Sequence, residues 1–290
     1  MKKFFIIAVS LMLVLAGAQA SQAEMLQIKG SDTLINLVQR MAEVYMEENP
    51  GKYIAVTGGG SGTGIAALIN GKCDIANASR LMKDKEVAQA KDQGITPKRV
   101  VVALDGITFI VNPGNDVDQL TVDELGRIYR GEVTNWSEVG GADMAITLYG
   151  RQSNSGTFAF VQEAVCKGDY SPNMRRMNGN SQIVEAVKSD PSGIGYVGVG
   201  YAKEATGIQA LKVASRAGAP YADPMVPADI ESGNYPVTRP LNQYVNGIPS
   251  GDVKEFIEFE LSATGQDIVE EMGFIPNPKD YQEYNSQLGF

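Results

Sequence analysis

Histidine is absent from this sequence, and cysteine is nearly so, with only Cys73 and Cys166. Without histidine there is no Ser-His-Asp or Cys-His nucleophilic system, and the commonest transition-metal ligand is missing. Two cysteines alone cannot build a metal site. They are either one disulfide of an oxidising compartment or two buried thiols, and both readings stay open. Positive charge is also short: 25 Lys and Arg face 34 Asp and Glu, for a formal net charge of −9 at pH 7. So acidic a chain is a poor partner for nucleic acid or anionic lipid. Any anion it holds must be held by a local arrangement, against the field of the whole molecule. The longest uncharged apolar run lies at the N-terminus. No later segment is long and apolar enough to span a bilayer.

The N-terminal run is itself informative. Lys2 and Lys3, the apolar stretch Phe4 to Leu15, and the small-residue sites Ala18-Gln19-Ala20 or Ser21-Gln22-Ala23 predict a secretory signal peptide over residues 1–23. It is too short for a transmembrane anchor. Export predicts a soluble mature chain in the periplasm of a bacterium with two membranes.

Past residue 23, strand and helix signals alternate. "MLQIKG", "YIAVTG" and "CDIANAS" read as strands, and "TLINLVQRMAEVYMEENPG", "GIAALING" and "KDKEVAQAKDQG" as the helices between them. "RVVVALDGITFIVNPG" is twice the usual strand length, broken only by Asp105-Gly106, and so can begin in one lobe and finish in another. A second α/β set follows. It includes "TVDELGRIYRG" with Thr121 as N-cap, "AITLYG", "GTFAFVQEAVCKG", "SQIVEAVKSDPSG" and the strand-like "IGYVGVGYA". Residues 212–240 carry no clear period. "DVKEFIEFELSATGQDIVEEMGF" reads as two helices split near Thr264-Gly265. The fold class expected is α/β in two lobes.

Three stretches share one design: "KGSDTLINL", "GGGSGTGIAAL" and "GRQSNSGTFAF". Each is a strand, a turn of Gly, Ser and Thr, and a helix start, which together offer backbone N–H groups, a hydroxyl and the positive end of a helix dipole. Enzyme readings of them fail. Gly62-Thr63-Gly64-Ile65-Ala66-Ala67 matches a dinucleotide pattern only loosely, the phosphate-cradling Gly-Lys-Ser/Thr ending is missing, and so is the nucleophile elbow. Arg151 carries a guanidinium fork suited to two-pronged contact with a tetrahedral oxyanion. Asp74, in "KCDIANASR", suits an anion site only if the ligand still carries a proton to donate. Phosphate near pH 7 does, and sulfate does not. The other reading of Asp74 is an ordinary ion pair with Arg80 or a lysine.

On "GGGSGTGIAALINGKCDIANASR" and "GRQSNSGTFAF", supported by "GITFIVNP", "IYRGEVTNWSEVGG" and "GIGYVG", the chain resembles the phosphate-binding proteins of bacterial ABC phosphate importers. The resemblance implies a periplasmic-binding-protein ("Venus flytrap") fold, type II-like with two inter-lobe crossings. The first lobe is expected at 24–106 and 205–290 and the second at 107–204. It implies a monomer without cofactor, metal or catalysis, which captures inorganic phosphate with high affinity and delivers it to an inner-membrane ABC permease. By motif, Ser61 supplies a hydroxyl, Asp74 accepts the phosphate proton, Arg151 is the charge partner, and Ser155, Gly156 and Thr157 form the third turn. In the first turn Ser31 and Thr33 are the donors. Asp32 stands where many relatives carry no acid; it either caps the helix and points away from the ligand, or faces the cleft, where a second carboxylate would disturb phosphate binding and open the question of another ligand. Trp136 is expected to pack. The rival readings are a binding protein for sulfate or molybdate and a phosphatase-like enzyme.

Overall fold

The computed structural model describes residues 25–290, so the signal-peptide expectation lies outside the described residues. The chain opens with β1 (Leu26–Gly30), α1 (Ile35–Glu48), β2 (Ile54–Thr57), α2 (Ser61–Ile69), β3 (Ile75–Ala78) and α3 (Asp84–Asp92). Strands β1, β2 and β3 are parallel, with Lys29 opposite Thr57 and Gly30 opposite Asn77, so their C-terminal ends come out along one edge. The α1 helix forms because Leu37, Val38, Met41, Ala42 and Tyr45 recur at helical spacing and are buried.

The long apolar run is one strand, β4 (Pro97–Val111). Its first part pairs antiparallel with β11 (Thr238–Asn246), and Ile107–Val111 pairs antiparallel with β8 (Gly193–Gly198). The change of partner falls at Asp105-Gly106. Between them lie β5 (Gln119–Thr121), α4 (Val122–Arg130), β6 (Thr147–Arg151), α5 (Gly156–Val161) running into a π-helical turn (Gln162–Cys166), β7 (Arg175–Met177) and α6 (Asn180–Ser189). The sheet order is β2-β1-β3-β11-β4-β8-β6-β7. It is two half-sheets sharing β4, which makes a two-lobed α/β molecule. The chain returns at Val237, whose carbonyl accepts from Ile107 N beside the start of β11.

After β8 come α7 (Val199–Glu204), β9 (Gln209–Ala210), β10 (Lys212–Ala214) and α8 (Pro227–Glu231). Here β9 pairs with Ile110 and Val111 of β4, and β10 with β5. These pairings tie residues 209–214 to strands of the 107–204 segment. The C-terminal helices are α9 (Gly251–Leu261), α10 (Ala263–Glu271) and α11 (Lys279–Ser286), with α9 and α10 divided at Ser262, whose hydroxyl accepts from Gly265 N. Thr121 caps α4 as its sequence predicts, accepting from Glu124 N while Glu124 reaches back to Thr121 N. The stretch "IGYVGVGYA" is not all strand. It turns helical at Val199 because Asp105, far away in sequence, accepts from Val199 N at 3.0 Å and caps the first turn.

Trp136 is fully buried and donates to Ser192 O. Cys73 and Cys166 are both buried free thiols, and burial pushes each up to about 12. In the second lobe Phe109, Tyr129, Tyr170 and Tyr196 pack ring on ring, with Tyr129 and Tyr196 centroids 5.3 Å apart. Each such burial contributes about 1.5–3 kcal/mol. Among the described residues no helix is long and apolar enough to cross a membrane.

One buried acid stands apart from these apolar clusters. Glu260 on α9 is fully buried; its Oε1 accepts from Gln243 Nε2 at 2.9 Å, and Oε2 has no partner among the described residues. Burial pushes its pKa up from 4.5 to about 8. Between those two values the folded chain keeps a proton that the unfolded chain has lost, so stability must fall as pH rises across that window. Thermal melts from pH 5 to pH 8 should show Tm dropping by several degrees, and Glu260→Gln should flatten the drop. An equal slope in the variant would remove Glu260 as its source.

Candidate functional site

The three Gly-Ser-Thr turns meet. Two rise from the C-terminal ends of β1 and β2 in the first lobe, and the third from the end of β6 in the second. Ser31, Thr33, Ser61, Arg151, Ser155 and Thr157 are all at most 2% exposed. Thr33 Oγ1 and Thr157 Oγ1 are 3.1 Å apart, hydroxyl to hydroxyl across the lobes. Ser155 Oγ accepts from Thr157 N and Phe158 N and so caps α5. Gly156 lies against the first lobe. A Cβ there would lie 2.3 Å from Ser61 Oγ and 2.6 Å from Ser79 Oγ, so only glycine fits.

Arg151 is 1% exposed at the end of β6. Its backbone N–H donates to the Tyr196 hydroxyl at 3.1 Å, which links the aromatic cluster to the arginine's position. Nη2 donates to an Asp32 carboxylate oxygen and to Asn178 O, while Nε and Nη1 are buried with no partner among the described residues. Asp32 therefore turns inward. Its other oxygen accepts from Gly59 N at 2.7 Å, and its carbonyl accepts from the Tyr201 hydroxyl at 2.7 Å. Burial pushes Tyr201 up to about 12, which keeps it a donor at neutral pH.

Asp74 is not part of this group. It is exposed, its Oδ2 accepts from Gln27 N at 2.7 Å, and it precedes β3. The cluster lies at the other end of that strand, where Ser79 is about 16 Å further on at 3.3 Å per residue. The expectation that Asp74 meets the ligand is corrected by strand direction: β3 runs parallel to β1, so it delivers Ser79 to the cluster and leaves Asp74 behind. Asp74 does not pair with Arg80 either, because Arg80 forms a two-pronged bridge to Glu86.

Three buried residues join the cluster without having been anticipated. Ser79 Oγ accepts from Ser31 Oγ at 2.8 Å, and Ser79 N donates to Ser61 Oγ at 3.0 Å. Arg239, on β11, donates through Nη2 to Thr33 Oγ1 (3.2 Å) and Thr157 Oγ1 (3.0 Å), and through Nη1 to Ser79 O (2.8 Å). Asp105 holds it by two bonds, from Nε at 3.1 Å and Nη2 at 2.8 Å. Burial pushes Asp105 upward against the pull of Arg239, and pushes Arg239 downward. A sequence signal existed for Asp105, a lone acid inside an apolar run. Ser79 stood at a strand end like Ser31. Arg239 carried none, since it enters from an antiparallel strand with no Gly-Ser turn.

The arrangement is a buried cluster of hydroxyls from both lobes with two guanidinium groups, each matched by one carboxylate. It offers hydrogen-bond donors to an oxyanion. It contains no activated nucleophile.

Comparison with known proteins agrees with this architecture. A PBP superfamily domain model matches residues 17–264. The phosphate-binding protein PstS of Pseudomonas aeruginosa is 34% identical over 273 residues, covering 88% of this chain and 83% of its own length. The protein of the same name from Bacillus subtilis is 32% identical, covering 87% and 80%. A crystal structure from Clostridium perfringens, described as a phosphate ABC transporter substrate-binding protein with bound phosphate, is 30% identical, with a TM-score of 0.78 over 88% of this chain and all of the other. These are transport proteins rather than an enzyme family. The chain belongs to the PBP superfamily and, within it, to the family of the phosphate-binding protein PstS.

Proposed function

We propose that this protein captures inorganic phosphate in the periplasm, after export by its N-terminal signal peptide, and delivers it as a monomer to an inner-membrane ABC permease. It makes and breaks no bond. The observation that carries the reading is the buried Arg151 guanidinium, held by the Asp32 carboxylate of the first turn, whose Nε and Nη1 have no partner among the described residues. A buried donor left unpaired is costly, so these N–H groups call for an acceptor. A tetrahedral oxyanion supplies several at once. The relatives named above support phosphate as that anion.

In this reading Arg151 and Arg239 supply charge, and Ser31, Thr33, Ser61, Ser79, Ser155 and Thr157 supply hydroxyls, with Gly156 allowing the close approach. We place the second lobe at residues 107–237, because β9 and β10 pair within it, and the first lobe on either side. Capture is a hinge closure driven by contacts that only the closed form makes.

Asp32 takes the role expected of Asp74. An anion oxygen seated on Arg151 lies beside the Asp32 carboxylate, and without water two acceptors repel unless one bears a proton. Phosphate near neutral pH retains such a proton, whereas sulfate does not.

Two measurements test this. Arg151→Ala should weaken phosphate binding by about 2–5 kcal/mol, the usual cost of removing one partner of a buried charge pair, with folding intact. Calorimetry showing wild-type affinity in that variant would remove Arg151 from the site. Sites that read a hydrogen bond can reject the analogue lacking it by about 10⁴–10⁵. Asp32→Asn should therefore narrow the phosphate-over-sulfate preference by at least about tenfold, while Asp74→Asn leaves it unchanged. The opposite pattern, with Asp74 controlling the ratio, would sink the assignment.

A further inference from the structure

Next to the buried hydroxyl cluster, at its rim, the lobes are joined by a second set of contacts that has no share in it. Asn154 is exposed and directly precedes the buried Ser155. Its Nδ2 donates to Gly59 O at 2.7 Å and to Thr63 Oγ1 at 3.3 Å, and its carbonyl accepts from Gly62 N at 2.9 Å. Gly59 and the first turn of α2 belong to one lobe and Asn154 to the other. All three bonds therefore cross between lobes.

The local backbone is shaped for this contact. Gly62 lies in the first turn of α2, where N–H groups have no intrahelical partner, so a carbonyl from the opposite lobe caps the helix. Gly60 sits at φ +91°, a region that favours glycine, and a Cβ there would lie 2.7 Å from Asn154 O. Thr63 Oγ1 donates to Gly59 O at 2.7 Å, which fixes the receiving surface. Ser61 and Ser155, the neighbours of these rim residues, are the buried members beneath.

We propose that Asn154 is a latch: a positioning residue that fastens the closed rim over the anion and sets how long the ligand stays. Contacts that exist only in the closed form and never touch the ligand resist opening. They do not affect the first encounter. Their effect falls on dissociation rather than association. Exposed hydrogen bonds are individually modest, so losing the two side-chain bonds should speed release by about tenfold. For its ligand the latch rests on the phosphate reading above.

The test compares phosphate association and dissociation rates by stopped flow in wild type, Asn154→Ala, Asn154→Asp and Ser153→Asp. Release should be about tenfold faster in Asn154→Ala, with association within about twofold. Asn154→Asp should release faster still, because a carboxylate oxygen then faces Gly59 O where a donor stood. Ser153→Asp adds the same charge one residue away and should behave as wild type. Amide exchange at Gly62 in the phosphate-bound protein provides a second reading. It should accelerate in Asn154→Ala while Ile69, at the far end of the same helix, keeps its protection. Unchanged release and unchanged Gly62 exchange would overturn the latch, as would equal acceleration along all of α2, which is a folding defect. If wild type fails to bind phosphate, the proposed function falls and the latch over that anion falls with it, whereas unchanged release from a wild type that binds phosphate overturns the latch alone.

Discussion

The buried ion pair between Asp105 and Arg239 sits where the two lobes share a strand, and the site is assembled around it. Asp105 lies at the point where β4 leaves β11 and takes up β8, with Thr238 opposite Gly106. One of its oxygens caps α7 in the second lobe, and the other holds Arg239, which touches Thr33 and Ser79 in the first lobe and Thr157 in the second. Taking two charges out of water is expensive, and a pair this deep is retained only when further hydrogen bonds satisfy its remaining groups. Here nearly every such group is satisfied by a part of the binding cluster. Removing either partner of a buried pair typically costs about 3–5 kcal/mol, because the other charge is stranded. The shared strand and the hydroxyl cluster are one network.

Arg151 and Asp32 repeat the pattern at a second position with one difference: part of the Arg151 fork has no partner among the described residues. Each pair balances its own charge, so two guanidinium groups are buried in the cluster without net charge. The donors left over give it a use. The aromatic cluster of the second lobe supports this from behind, since Tyr196 accepts from Arg151 N and donates to Tyr170. Packing thus sets the position of the guanidinium before any ligand arrives, and pre-organised donors lose little entropy on binding.

The fold was legible in the sequence wherever the signal was local. Parallel strands alternating with capped helices, the box at Thr121 and Glu124, and the doubled strand length around Asp105-Gly106 all came from residues close in sequence. One departure followed a contact between distant residues, and the other a local cap. Helix α7 begins inside an apparently continuous strand because Asp105 caps it, and the split between α9 and α10 follows the Ser262 hydroxyl rather than the nearby Thr264-Gly265.

The site divides along the same line. By itself the sequence determined that there would be three anion-shaped turns, that Arg151 would stand in one of them, and that no histidine chemistry was available. Each of these is a property of composition or of a few adjacent residues. Tertiary structure alone decided which carboxylate faces the arginine. Asp74 and Asp32 are equivalent in chemistry, but a strand displaces one residue by about 3.3 Å from the next, and β3 carries Asp74 to the end away from the cluster. Arg239 was invisible for the same reason, since it reaches the cluster only through the pairing of β11 with β3 and β4. A linear pattern records which groups a chain owns; only the direction and pairing of its strands decide which of them meet.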